Sequence, residues 1–263
     1  MKVVFITGDH PRHSYIARAL ASTGHLTAII SERRDAFVPE PPAHLSEALK
    51  TLFRHHFAKR EGCEARHFGT LEWPDIPRHD TTMDALNGKE TQALLSHHKP
   101  DLLLSYGCHM LSSETLDCVV GERWNIHGGL SPWYKGAITH FWPSYMLEPQ
   151  MTGMTVHDLT TALDAGDVVH QCAADLVRGD GLHDLAARAV LKLAKELPDL
   201  IEKLARGEKI KKHAHKTTGK LWPSRDWRPE HLHTIYTVYN DRIVDHYLDG
   251  AFEKRAPKLH RQV

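Results

Sequence analysis

Met1-Lys2-Val3-Val4-Phe5-Ile6-Thr7-Gly8-Asp9-His10-Pro11-Arg12-His13 decides the fold. Lys2 to Thr7 is a continuous β-branched and apolar run, the pattern of a strand buried on both faces of a parallel sheet. A helical pattern follows, with Tyr15, Ile16, Ala19 and Leu20 on one side. Gly24 closes it, and Leu26 to Ile30 supplies a second strand. Together these form a βαβ unit, whose crossover is expected to be right-handed. The fold class is therefore α/β: a Rossmann-like, mostly parallel sheet with helices on both faces. In such sheets ligands bind at the carboxyl edge, where the Gly8–His13 loop lies. The loop has no Gly-x-Gly-x-x-Gly, so the dinucleotide fingerprint is absent. Gly8, His10, Arg12 and His13 could cradle a phosphate at a helix N-terminus. A plain turn with surface basic residues explains them equally well.

The same reading extends along the chain. Pro39-Glu40-Pro41-Pro42 is a stiff connector, and a helical stretch with Leu45, Leu49, Leu52, Phe53 and Phe57 follows as a flap beside the site. Trp73-Pro74 and Ile76-Pro77 make an irregular link, and Met83 to His98 reads as one helix. Leu102 to Leu104 is a buried strand opening into a second glycine loop, Ser105 to Leu111, after which Ser112 caps a short helix. Ala137 to Trp142 looks helical until Pro143. Gly153 to Leu159 and Val168 to Gln171 alternate as strands. Leu182 to Ala205 is an amphipathic helix, with Leu185, Ala189, Leu193 and Leu197 as its stripe, broken or kinked at Pro198. Residues 1–206 are thus expected to form the α/β domain and residues 207–263 an extension. In the extension, Lys209 to His213 reads as a short edge strand. From Pro229 onward, Leu232, Ile235, Tyr236, Tyr239, Ile243, Val244 and Leu248 recur at near-helical spacing. That surface is a lid, a packing face or a homodimer interface.

Composition removes several function classes. Lys plus Arg and Asp plus Glu both number 33 in the 263 residues, which disfavours a nucleic-acid binder relying on bulk charge. The 22 histidines are dispersed, without a His-Glu-x-x-His pair, so no metal site is expected. Four cysteines without Cys-x-x-Cys spacing read as free thiols of a reducing compartment. No apolar run is long enough to span a membrane, and a cytoplasmic location is expected.

Chemistry concentrates in Trp124-Asn125-Ile126-His127-Gly128-Gly129-Leu130-Ser131-Pro132-Trp133-Tyr134-Lys135-Gly136. Asn125 and His127 alternate at a strand exit, so both side chains project to one face. An amide donor beside an imidazole suits acyl-group chemistry, one polarising a carbonyl and the other handling a proton. The same pair could also simply satisfy turn backbone. Asp164, in the turn Leu163-Asp164-Ala165-Gly166-Asp167, could orient the imidazole or take its proton, or bond its own backbone.

Asn125-Ile126-His127 followed by Leu130-Ser131-Pro132-Trp133-Tyr134-Lys135-Gly136 resembles the Asn-x-His…Leu-Pro-x-Tyr-(Arg/Lys)-Gly signature of the formyltransferase superfamily. Gly153 to His157 with Leu163 to Val169 is similar to its second signature, in which Asp164 matches the catalytic aspartate. The resemblance covers roughly Met1 to Ala205. It implies the formyltransferase fold, 10-formyltetrahydrofolate as co-substrate, and Asn125, His127 and Asp164 as the catalytic residues, with no metal required. Ser105, Tyr106, Gly107, Met110, Leu111 and Leu163 match the folate pocket. Substrate contacts are expected from Gly8, His10, Arg12, His13, Tyr134, Lys135 and Gly136. Gly128-Gly129 and Ser131 depart from the family's usual Ser-Leu-Leu-Pro and imply a more flexible loop on the substrate side. With its Pro-rich insertion and aromatic C-terminal segment, the chain looks most like bacterial sugar N-formyltransferases. These formylate nucleotide-linked amino sugars, for example of the 4-amino-4,6-dideoxy type, for surface glycans and in a nonulosonic-acid branch. The partners implied are small molecules, with no nucleic acid and no membrane. The alternatives are a formyltetrahydrofolate hydrolase, a formyltransferase for glycinamide ribonucleotide or methionyl-tRNA, and an inactive nucleotide-binding module.

Overall fold

Every residue of the first strand is buried, because it is sandwiched on both sides. Val3 and Phe5 belong to one apolar cluster and Val4 and Ile6 to another on the opposite face, as the two-residue side-chain period requires. The computed structural model describes residues 1–33, 38–162, 164–214, 219–253 and 255–263. In chain order the elements begin with β1 (Val3–Gly8), α1 (Pro11–Ala21), β2 (Leu26–Glu32), α2 (Glu47–Phe68), β3 (Arg78–Thr81) and α3 (Lys89–His98). Next come β4 (Leu102–Tyr106), α4 (Ser113–Leu116), β5 (Glu122–His127), β6 (Tyr134–Gly136) and α5 (Trp142–Tyr145). The chain continues with β7 (Gly153–Asp158), β8 (Val168–Ala173), α6 (Leu182–Ala205), β9 (Lys220–Trp222) and α7 (Ile243–Leu248).

The main sheet has seven strands in the order β3-β2-β1-β4-β5-β7-β8. β1 pairs in parallel with both β2 and β4, which makes the β1/β4 crevice the topological switch point. Among the described strands β7 runs opposite to the rest of the sheet, pairing antiparallel with both β5 and β8. Helices α1, α2 and α6 pack over one face and α3 and α4 over the other. A third apolar cluster joins Tyr134, Phe141 and Trp142 to Trp222, Leu232, Ile235 and Ile243, so the C-terminal segment packs on the loops that follow β5. The tail runs along β8, where Gln171 N–H donates to the His260 carbonyl at 2.7 Å. Among the described residues no helix is long and apolar enough to cross a membrane.

Several local expectations are corrected. The helix placed over Met83–His98 begins only at Lys89, capped by Gly88, and Met83 is exposed. Pro143 does not end a helix; it sits in the first turn of α5, where a missing N–H costs nothing. Pro198 does not break α6. Its cost of about 3 kcal/mol is outweighed by burial of Leu193, Leu197, Leu200 and Ile201, each worth roughly 1.5–3 kcal/mol. Lys209–His213 forms no strand; it meets the sheet through a bridge from His213 to Val168 and through Lys212, whose ammonium donates to Glu122 of β5 and Asp158 of β7. The edge strand β3, Arg-His-Asp-Thr, carries no apolar pattern, since it is largely exposed and held by its ladder to β2.

Candidate active site

β5 ends at the carboxyl edge of the sheet, and Asn125 and His127 leave it on the same side, as their spacing requires. Asn125 Oδ1 accepts from Ser105 Oγ at 2.8 Å, a contact set by the register that pairs these two residues across β4 and β5. On the other side β7 places His157 opposite Asn125, with Nδ2 and Nε2 3.1 Å apart. His157 Nδ1 lies 2.8 Å from the Asp158 carbonyl, which can only accept, so Nδ1 carries the proton and Nε2 accepts from Asn125. One amide N–H of Asn125 is thus fixed, and the other remains for a ligand.

Asp164 is 6 % exposed and adopts a left-handed backbone, φ 45°. Its Oδ2 accepts the Gly136 N–H at 2.8 Å and lies 3.5 Å from His127 Nδ1; its Oδ1 lies 3.4 Å from His157 Nε2. His127 Nε2 donates to the Tyr134 carbonyl at 2.8 Å, which leaves the Nδ1 lone pair toward the carboxylate. Burial pushes the His127 pKa below its usual value, against the attraction of Asp164. Burial also acts to raise Asp164, but the two imidazoles, once protonated in acid, and the Gly136 N–H outweigh it and hold the carboxyl at about 2. The pair is therefore a carboxylate facing an unprotonated imidazole nitrogen, placed to receive one proton between them.

Gly136 makes this possible: its φ is 98°, and a Cβ there would lie 2.4 Å from the Trp222 carbonyl of β9. Gly129, where the sequence suggests flexibility, is instead held. Thr155 Oγ1 donates to its carbonyl at 2.7 Å, and Gln171 Nε2 reaches the Ser131 carbonyl at 2.6 Å. Thr139 Oγ1 donates to the Gly128 carbonyl. The loop's small residues answer to close packing and not to mobility.

A cavity of about 600 Å³ opens over these groups. Ser105, Tyr106, Gly107, Met110, Leu111, Asn125, His127, Gly136 and Asp164 all line it, as do Arg12 and His13. Leu163 falls outside the described residues. Gly8 and His10 do not line the cavity. Gly8 and Gly107 make room for the His13 ring, since a Cβ on either would come within 2.8 Å of that ring, and His10 stacks on His13 from the N-cap of α1. The Tyr134 side chain faces the third cluster, with its phenol donating to Glu148 at 2.6 Å, and only its carbonyl serves the site. Lys135 is 8 % exposed and does not line the cavity. Arg12 is paired with Glu64 at 2.7 Å.

Sequence reasoning missed four contributions. His157 became legible only through the β5–β7 register. His140, lowered by burial to about 4, packs beside Gly128 and reaches the Gly153 carbonyl at 3.1 Å. Glu32, fully buried at the end of β2, accepts the His109 backbone N–H at 2.7 Å and also meets its imidazole. Another wall comes from His56, Phe57 and Arg60 of α2, Phe141 before α5, His183 of α6 and Trp227 of the C-terminal segment. Burial lowers His56 to about 2 and His183 to about 3, and lowers Arg60 only to about 10, so the arginines are the cations there.

The chain resembles known proteins of one kind. It is 26 % identical to a methionyl-tRNA formyltransferase of Anaeromyxobacter dehalogenans over 72 % of its own length, and spans about half (54 %) of that relative. A sugar N-formyltransferase of a Shewanella species superposes with a TM-score of 0.54 at 19 % identity, covering 86 % of this chain and 78 % of that one. An N-formyltransferase of Helicobacter canadensis, solved with folinic acid and dTDP-3-aminofucose, superposes with a TM-score of 0.53 at 14 % identity, covering 87 % and 73 %. Residues 1–201, which contain the Asn125, His127 and Asp164 constellation, match the formyl transferase family, and the chain belongs to it.

Proposed function

We propose that the chain transfers the formyl group of 10-formyltetrahydrofolate to the amine of a nucleotide-linked amino sugar. The observation that carries this reading is the convergence of Asn125, His127 and Asp164 in a cavity with two differently equipped walls. One wall, Gly107 to Leu111, is mostly backbone and apolar side chain beside the switch point, suited to a flat heterocycle. The Glu32 carboxylate pins that wall by the His109 N–H. The other wall offers the rings of Phe57, Phe141 and Trp227 with Arg12 and Arg60, suited to a ring-bearing, phosphorylated acceptor. The Helicobacter relative's pairing of a folate with a nucleotide sugar supports the same division.

The folate supplies an activated formyl carbon, and the side chains do the rest. The remaining Asn125 N–H donates to the carbonyl oxygen as negative charge develops there; such a donor is worth about 3–4 kcal/mol. His127 Nδ1 takes the proton leaving the amine and returns it to the folate N10 as the N10–formyl bond breaks and tetrahydrofolate departs, with Asp164 at 3.5 Å stabilising the imidazolium in between. The Tyr134 carbonyl keeps the ring in that tautomer. The reading includes a cytoplasmic role in surface-glycan biosynthesis, in keeping with four free cysteines.

The test is tetrahydrofolate release from 10-formyltetrahydrofolate by the purified chain, with and without a panel of nucleotide-linked amino sugars. Release that requires an amino sugar, with an N-formyl product, supports the proposal. Release without any amine assigns hydrolysis instead, and release only with glycinamide ribonucleotide assigns that acceptor.

A further inference from the structure

We propose that Cys63, His67 and Asp184 bind a single transition-metal dication of the Zn²⁺ class, outside the cavity and bridging α2 to α6. Cys63 and His67 are four residues apart on α2, so they share one face of it. Asp184, in the first turn of α6, meets that face. One ligand atom from each residue lies within 4.8 Å of the other two. Cys63 Sγ is 3.6 Å and His67 Nε2 2.9 Å from the same Asp184 oxygen. A tetrahedral Zn²⁺ at ordinary bond lengths separates neighbouring ligand atoms by about 3.4–3.6 Å, so the two contacts to Asp184 need adjustments of only tenths of an ångström, and the Cys63–His67 pair starts within 4.8 Å.

The donor set selects the metal. Thiolate, imidazole and carboxylate together suit Zn²⁺ or Co²⁺, whereas Mg²⁺ and Ca²⁺ require oxygen alone. Three protein ligands leave a fourth position for water. In the metal-free chain the Asp184 oxygen accepts from Cys63, His67 and Arg66. On binding, the Cys63 thiol gives its proton to solvent and a metal–sulfur bond forms. The His67 proton moves through solvent from Nε2 to Nδ1, the largely exposed Arg66 leaves the Oδ1 that it shares with Cys63 and His67, and Oδ2 keeps the Gly181 N–H.

The site has a consequence for the cavity. Its helices also carry cavity-lining side chains, Arg60 and Glu64 from α2 and His183 and Ala187 from α6. A metal clamps the two helices together behind that wall. No local motif announces the site, because Asp184 is far from the other two ligands in sequence.

The experiment titrates Co²⁺ into the reduced, metal-stripped full chain and follows absorbance. The expected result is saturation at one equivalent, with a near-ultraviolet thiolate-to-cobalt band and visible bands of tetrahedral intensity. Zn²⁺ should bleach both. Cys63→Ser and His67→Ala should each lose the thiolate band, while Cys118→Ser keeps it. A wild-type chain without that band at one equivalent, or a band that survives Cys63→Ser, overturns the proposal. If Cys63→Ser does not fold, His67→Ala decides: its side chain lies near the surface, and an undiminished band there overturns the site equally.

Discussion

Asn125 and His157 face each other across β5 and β7, with the amide Nδ2 3.1 Å from the imidazole Nε2. The contact fixes which way the amide points, because Ser105 binds its oxygen and the His157 ring takes one of its two N–H groups. Replacing His157 by Ala frees the amide to rotate and removes a neighbour of Asp164. The expected outcome is a kcat lowered by about 10- to 100-fold, within the range for losing preorganised oxyanion donors, with a smaller change in the folate KM. Steady-state kinetics on the variant check this. A kcat within twofold of the wild type would show that the amide orients itself.

Glu32 predicts the opposite split. Its carboxylate holds the His109 N–H and ring, and so shapes the Gly107–Leu111 wall without touching the reacting groups. Glu32→Gln turns one acceptor oxygen into a donor that cannot bond an N–H. The folate KM is expected to rise about tenfold or more while kcat changes little. Equal losses in both parameters would place Glu32 in the chemistry and contradict the reading.

The loop after His127 gives a third test. A Cβ on Gly129 would lie 2.6 Å from the Tyr134 carbonyl and 2.7 Å from His127 Nε2, the two atoms whose hydrogen bond sets the histidine tautomer. Gly129→Ala should therefore displace the imidazole, and a shift approaching 1 Å at a reacting group can cost on the order of 100-fold in rate. The comparison to make is kcat against far-ultraviolet circular dichroism. A folded, slow variant is expected, and a folded variant at full rate would refute the packing account.

Much of this was readable in the chain, and the limit has a physical form. Alternation placed Asn125 and His127 on one face, and the βαβ pattern set the ligand edge, because both depend on neighbours in sequence. His157, Glu32 and the α2 wall depend on strand register and helix packing, which bring together residues far apart in the chain. The same distance effect removed Tyr134 from the cavity. Alternation along β6 could not tell which side the C-terminal cluster would cover.

Buried imidazoles make stability pH-dependent. In the folded chain His56, His183 and His140 are held by burial to about 2, 3 and 4, whereas unfolded histidine titrates near 6.5. Between those values the unfolded chain binds more protons, so stability falls as the pH drops below about 6.5. At pH 5 the loss is up to about 2 kcal/mol per imidazole. Asp164 adds to it at lower pH, since its stabilisation is present above about pH 4 and is lost as the pH falls toward about 2. Urea unfolding at pH 7.5 and 5.0 measures the effect, and equal midpoints would contradict it. His127 is shifted in the same direction, so its base form persists below pH 6.5 and kcat should hold there as long as the chain stays folded.

Trp222 connects the C-terminal segment to the chemistry. Its ring is 8 % exposed and stacks on Trp142 at 4.3 Å between centroids. Its strand pairs with β6, and its carbonyl accepts the Ala137 N–H at 2.7 Å. β6 in turn presents the Gly136 N–H to Asp164. Trp222→Ala should cost about 3–5 kcal/mol in stability, the usual range for emptying an aromatic site, and should lower kcat in the fraction that remains folded. Trp222→Phe keeps an aromatic ring and the backbone pairing, so its kcat should stay near that of the wild type. Denaturant melts combined with kcat per folded molecule separate the two effects. If Trp222→Ala lowers stability but leaves kcat per folded molecule unchanged, the segment is packing alone, and Gly136 reaches Asp164 without it.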